Sequence, residues 1–177
     1  MRAILRIILM TLLFFSSVYA SDSLKAKTIF QVEDPSHTAL PSKVQNALKT
    51  NNPDAYSQCD LVGSLIDIGS IKSEKYYAVA GKEGECSGSA SAPVWIVQEN
   101  KEKAGIILSA GGLKIEALSR RNNGLNDLRI SGGDVGSAFV QYWQYNGTAY
   151  LMKTKKEFDS SCKNLKNDPD NPFNCRA

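Results

Sequence analysis

The chain has 177 residues, with 21 Lys+Arg against 18 Asp+Glu and 42% hydrophobic residues. Two of the cations fall before position 21, so the remainder carries 19 against 18 and offers no electrostatic footprint for nucleic acid. About 157 residues then remain, enough for one domain with its own core, and no repeat or second long apolar run argues for more.

Residues 1–20 read MRAILRIILMTLLFFSSVYA. Arg2 and Arg6 make a positive start, Ile7 to Phe15 an apolar core, and Val18-Tyr19-Ala20 ends on a small residue. This pattern predicts a secretory signal peptide cleaved after Ala20, which places the mature chain in the bacterial periplasm or outside the cell. The apolar run is too short to cross a hydrocarbon layer of ~30 Å, so no membrane span is expected after cleavage. Residues 21–37 read as an irregular lead-in, with TIFQV as a candidate short strand. Residues 38–177 read as a single secreted α+β domain.

In LPSKVQNALKTNNPD, Leu40, Val44, Ala47 and Leu48 fall on one helical stripe, and Asn51-Asn52-Pro53 ends it. Ser42 with Gln45 is compatible with a capping box. Strand-like runs follow at regular spacing: LIDIGSI, KYYAVAG, PVWIVQE, AGIILSA, LKIEALS, LNDLRIS and the long AFVQYWQYNGTAYLMKT. Turn residues between them predict an antiparallel meander of about six to eight strands carrying one short N-terminal helix. Asn146-Gly147 is the residue pair of a two-residue type I′ turn. That turn would set Tyr145 opposite Thr148, Gln144 opposite Ala149 and Trp143 opposite Tyr150. Phe139, Trp143, Tyr145, Tyr150 and Met152 would share one face and Val140, Tyr142 and Leu151 the other. With both faces apolar, the hairpin is expected near the sheet centre. SAGGL and SGGDVGS suit hairpin turns; neither matches a P-loop.

Cys59, Cys86, Cys162 and Cys175 all lie beyond the signal, and an even number of cysteines in an exported chain reads first as disulfides. Three pairings can be drawn; Cys59–Cys86 and Cys162–Cys175 close the shortest loops and are favoured. GECSG, around Cys86, matches a nucleophile elbow in spacing. An elbow, however, needs a helix behind its nucleophile, and SASAP followed by a proline-led strand provides none. A thiol nucleophile also needs a base, and His37 is the chain's one histidine. No catalytic residue, metal ligand set or cofactor is therefore assigned. Asp168-Pro169-Asp170-Asn171 lacks calcium-loop spacing and reads as a polar turn. Any carboxylate chemistry would require Glu116, Asp127 and Asp134 to converge.

The succession ECSGSASAP, PVWIVQE, Asn123-Gly124-Leu125-Asn126-Asp127-Leu128 and the Tyr142 to Tyr150 hairpin resembles small exported proteobacterial proteins, over roughly residues 76–153. That resemblance implies a secreted α+β domain and supplies no activity. The chain is also similar in general shape to periplasmic lysozyme inhibitors. Their S-G-x-x-Y loop is not reproduced, since neither Ser87-Gly88 nor Ser131-Gly132 is followed by the tyrosine.

These features together predict a non-enzymatic extracytoplasmic domain that binds another extracytoplasmic protein, such as a cell-wall hydrolase or secreted toxin that it inhibits. The alternatives are a periplasmic hydrolase using Asp127 or Asp134, and a structural envelope protein. Recognition is expected from loops on a rigid scaffold: Ser87 and Ser89 within Ser87–Ser91, then Arg120, Arg121, Asn122 and Asn123, then Asp134 and Ser137 within Gly132–Ser137.

Overall fold

Nine strands and one helix account for the regular structure of a computed structural model that describes residues 25–51, 60–69, 71, 73–81, 90–161 and 168–173. The strands are β1 (Ala26–Gln31), β2 (Leu61–Ile66), β3 (Lys75–Gly81), β4 (Ala92–Glu99), β5 (Ala104–Gly112), β6 (Lys114–Asn122), β7 (Leu125–Gly133), β8 (Ser137–Tyr145) and β9 (Tyr150–Asp159). The helix α1 spans Ser42–Asn51. None of the described helices is long and apolar enough to cross a membrane.

The α+β class and the antiparallel pairing agree with the sequence; the strand count and the single meander do not. There are two sheets, one in the order β2-β3-β4-β5 and one in the order β1-β6-β7-β8-β9. The change of sheet occurs at SAGGL, which is therefore no hairpin. Gly112 ends β5 against Ile130 of β7 with no room for a Cβ, and Leu113 N–H already donates to Ser131 O at 2.8 Å. Glycine at this corner lets the backbone leave one sheet and enter the other within a residue.

The apolar runs of β3 and β4 are continuous because both faces are covered. Tyr77, Val79, Trp95 and Val97 point toward α1 and pack with Val44, Ala47 and Leu48. Ala78, Ala80, Val94 and Ile96 point the other way and meet Ile115, Ala117, Leu128 and Ile130 of the five-stranded sheet. The layers thus run helix, four-stranded sheet, five-stranded sheet. A short helix has little stability of its own, and its buried Val44 and Leu48 each contribute roughly 1.5–3 kcal/mol by docking. Gln45 reaches back from the first turn to the Leu40 carbonyl at 2.8 Å.

Several local expectations are corrected. The strand read at 65–71 begins earlier, at Leu61, and ends at Ile66; beyond it Gly69 bridges to Leu125 in the other sheet. At the C-terminal hairpin the pairs are Tyr145 with Tyr150, Gln144 with Leu151 and Trp143 with Met152, two residues out from the expected register. A type I′ turn needs positive φ at both central residues, and Gly147 has φ 104° while Asn146 is not among the left-handed residues. Asn146 instead closes a longer loop, its side-chain oxygen accepting from the N–H groups of Thr148 and Ala149. The hairpin is also not central. β9 is an edge strand with Leu151 46% and Met152 51% exposed. The I′ geometry belongs to the other Asn-Gly pair, Asn123 (φ 48°) and Gly124 (φ 89°), which joins β6 to β7.

His37 is held rather than loose. Its ring stacks on Phe30 at 4.8 Å; Nε2 lies 2.8 Å from Gln31 O and Nδ1 2.9 Å from Ser64 Oγ. A carbonyl can only accept, so Nε2 carries a proton toward Gln31 O.

Candidate functional site

Alternation along β6 to β9 sends one set of side chains into the core and the other to the outer face of the five-stranded sheet. Register then lines the outer set up in rows: Glu116, Arg129, Tyr142 and Thr154 in one, Lys114, Ser131, Val140 and Lys156 in the next. Cross-strand neighbours on one face are close enough for their side chains to meet. Arg129 Nε donates to Glu116 at 2.7 Å, and Lys114 Nζ lies 2.9 Å from the same carboxylate.

Residues 168–173 cross this face as a strap. Asp170 accepts from Arg129 at 3.0 Å, from Lys156 at 2.9 Å and from the Tyr142 hydroxyl at 2.6 Å; Asp168 also pairs with Lys156, at 2.9 Å. The strap is a succession of polar turns, in which Asp170 N–H donates to Asp168 and Phe173 N–H to Asn171. The carboxylates that a calcium reading would have used are thus directed at Lys156 and Arg129.

These contacts decide the protonation states. Burial raises the Glu116 carboxyl, but hydrogen bonds from Arg129 and Lys114 outweigh it and hold the group below its usual range. Asp170 behaves alike: burial raises it, and Tyr142 and Lys156 bring it lower overall. Burial, then the bond to Asp170, raises Tyr142. Glu116 and Asp170 are therefore fixed anions at neutral pH and unsuited to donate a proton.

Between strap and sheet lies a cleft of about 480 Å³, walled by Leu113, Phe139, Val140, Pro169, Pro172 and Phe173. Asp134 stands on its lining at the β7–β8 turn. Its Oδ1 accepts from Gly136 N–H and Ser137 N–H at 2.9 Å each, and these two bonds hold the exposed carboxyl below its usual range. Ser160 N–H donates to Gly136 O, bracing the turn from the end of β9.

The predicted contact loops separate into two groups. Gly133 N–H donates to Ala90 O at 2.7 Å, so the Gly132–Ser137 loop and the start of β4 sit together beside the cleft. Arg120 to Asn123 lie at the other end of β7, whose nine residues span about 30 Å. There Arg120 and Asn122 both donate to the buried Asp127 carboxylate, Arg121 is exposed, and Asn123 donates to Tyr145 O at 3.0 Å. This end stitches a bulge in β6 where register shifts between Ala117 and Arg121. Glu116, Asp127 and Asp134 consequently have separate partners: Arg129 with Lys114, Arg120 with Asn122, and the turn backbone. Ser87, Ser89, Cys59, Cys86, Cys162 and Cys175 lie outside the described residues.

Lys114, Arg129 and Lys156 were given no site role from sequence; Asp170 was read as part of a polar turn and Tyr142 as part of a hairpin face. The available signal was parity: Lys114 and Glu116, then Asp127 and Arg129, place charge at alternate positions of otherwise apolar strands. No protein-family model, curated protein or solved structure matches the chain.

Proposed function

We propose that the mature chain is an extracytoplasmic, non-enzymatic binding domain whose partner is another exported protein, a cell-wall hydrolase or secreted toxin that it restrains. The observation that carries this reading is the cleft beside the β7–β8 turn. Its walls are fixed by ion pairs across three strands and a strap, and its carboxylates Glu116, Asp170 and Asp134 are all stabilised as anions. A rigid concave surface with apolar walls and a few placed polar groups suits recognition. Carboxylate hydrolysis asks for an acid kept protonated near neutrality, and among the described residues every carboxyl whose affinity for protons departs clearly from the ordinary is shifted downward. His37, facing Gln31 O and Ser64, is engaged on β1 and β2 rather than at the cleft.

The test is capture from periplasmic extract followed by titration of the captured protein. A stoichiometric partner whose own activity falls with added wild-type chain supports the reading. Turnover of peptidoglycan fragments by the purified chain, abolished in Asp134→Asn, overturns it.

A further inference from the structure

The charges lining the cleft are unequal in what they face. Glu116 is engaged by Lys114 and Arg129, and Asp170 by Arg129, Lys156 and Tyr142. Asp134 lines the same cleft and has no cationic partner among the described residues. The hydrogen bonds it accepts from Gly136 and Ser137 all reach Oδ1, which fixes the carboxylate in the turn and leaves Oδ2 outside those bonds. Lys155 sits over the Phe139 ring at 5.5 Å, but it is paired with Glu157 at 2.6 Å and does not offset Asp134. An incoming anion would meet cations already engaged and one carboxylate that is not. An incoming cation would meet anions already engaged and, at Asp134, one carboxylate that no cation of the described residues offsets.

From this charge complementarity we infer that the cleft takes a basic–apolar segment of the partner protein: a lysine or arginine side chain on Asp134, with an adjoining apolar side chain against Val140 and Phe173. The inference rests on the protein-binding reading above and names the chemistry that its surface selects. Backbone N–H groups pre-position the carboxylate, so little ordering is required when the cation arrives. The apolar wall is likewise in place, held by the Asp170 and Asp168 contacts of the strap.

Calorimetric titration of the mature protein with three capped tetrapeptides of equal length tests this: alternating Arg-Leu, Glu-Leu and Gln-Leu. Spermidine serves as a cation without an apolar partner. The Arg-Leu peptide is expected to bind tightest, with its effect on amide resonances centred on Gly133, Asp134 and Ser137. Asp134→Asn keeps a side-chain oxygen for the turn and removes the charge, and should weaken that peptide roughly three- to fivefold, toward the Gln-Leu value. Phe173→Ser, which leaves the turn alone, should weaken it through the wall. Equal binding of the three peptides, spermidine binding as tightly as Arg-Leu, or an unchanged affinity in Asp134→Asn would overturn the inference. If that happens while wild-type protein still retains a partner from periplasmic extract, this inference alone falls; absence of any retained partner overturns the broader reading instead.

Discussion

Arg129 holds two carboxylates at once, and neither Glu116 nor Asp170 is much exposed, with side chains at 8% and 6%. Removing a partner from such an arrangement costs more than the pair contributes, because the anions remain where water cannot reach them. Arg129→Met is therefore expected to lower stability by roughly 2–3 kcal/mol at pH 7 in urea denaturation, a value discounted for the partial exposure of the guanidinium. The pH dependence carries a definite sign. Both carboxyls bind protons less readily folded than unfolded, so their contribution is fully present above their ordinary pKa near 4 and is lost as pH falls through the lower folded values. In Arg129→Met Asp170 keeps Tyr142 and Lys156, while Glu116 loses the largest of the contacts that oppose its burial, so Glu116 is the carboxyl that should titrate upward. The stability deficit of the variant should accordingly shrink between about pH 5 and pH 3; a deficit independent of pH would refute the role given to Arg129. At the other end of β7, Asp127→Ala strands Asn122 and Arg120 beneath the bulge. It should cost about 1–3 kcal/mol, against a smaller loss for Asn122→Ala, which leaves Arg120 on the carboxylate.

Strands and turns differ in how far residue pattern alone determines them. The α1 stripe of Val44, Ala47 and Leu48 is buried as its spacing requires, and KYYAVAG coincides with β3. Two things escaped local reading. The first is sheet membership: β5 and β6 are consecutive, and nothing within either strand says that Gly112 passes the chain to a second sheet. The second is which Asn-Gly pair makes the tight turn. Asn123-Gly124 has partners on both sides that fit a two-residue loop, whereas Asn146 uses its side chain to cap a longer one. The outer-face network was hidden for a related reason. Glu116 and Arg129 meet only because of register, and Asp170 is 41 residues away from Arg129 along the chain. The corner offers a paired test. A methyl group added at Gly112 would collide with Ile130, while at Gly105 of the same strand it would meet nothing within 4 Å. Gly112→Ala should destabilise by about 1–3 kcal/mol through overpacking. Gly105→Ala should be neutral or slightly stabilising. Comparable losses at both positions would mean that the corner does not depend on the missing Cβ.

At the scale of the whole molecule, the ends of the described strands limit which cysteines the chain can bring together. Leu61 pairs with Gly81 across the β2–β3 ladder; in the sequence Cys59 comes two residues before the first and Cys86 five after the second. Ser160 N–H donates to Gly136 O, and Phe173 shares the cleft with Gly133 and Asp134; in the sequence Cys162 and Cys175 each come two residues after one of these two points, Ser160 and Phe173. A residue advances the chain by at most about 3.6 Å, so the two pairings that close the shorter loops, Cys59–Cys86 and Cys162–Cys175, both lie within the chain's reach. Peptide mapping of exported, unreduced protein should recover those two crosslinks, with an intact mass lighter by four hydrogens. Opening the second loop with Cys162→Ser and Cys175→Ser together should cost roughly 3 kcal/mol in the chain-entropy account. That loop contains the strap, so the same double substitution should also loosen the cleft wall, and Arg-Leu peptide binding should weaken even where the sheet remains folded. A double variant that keeps both its stability and its peptide affinity would show that the Asp168 and Asp170 ion pairs hold the strap unaided.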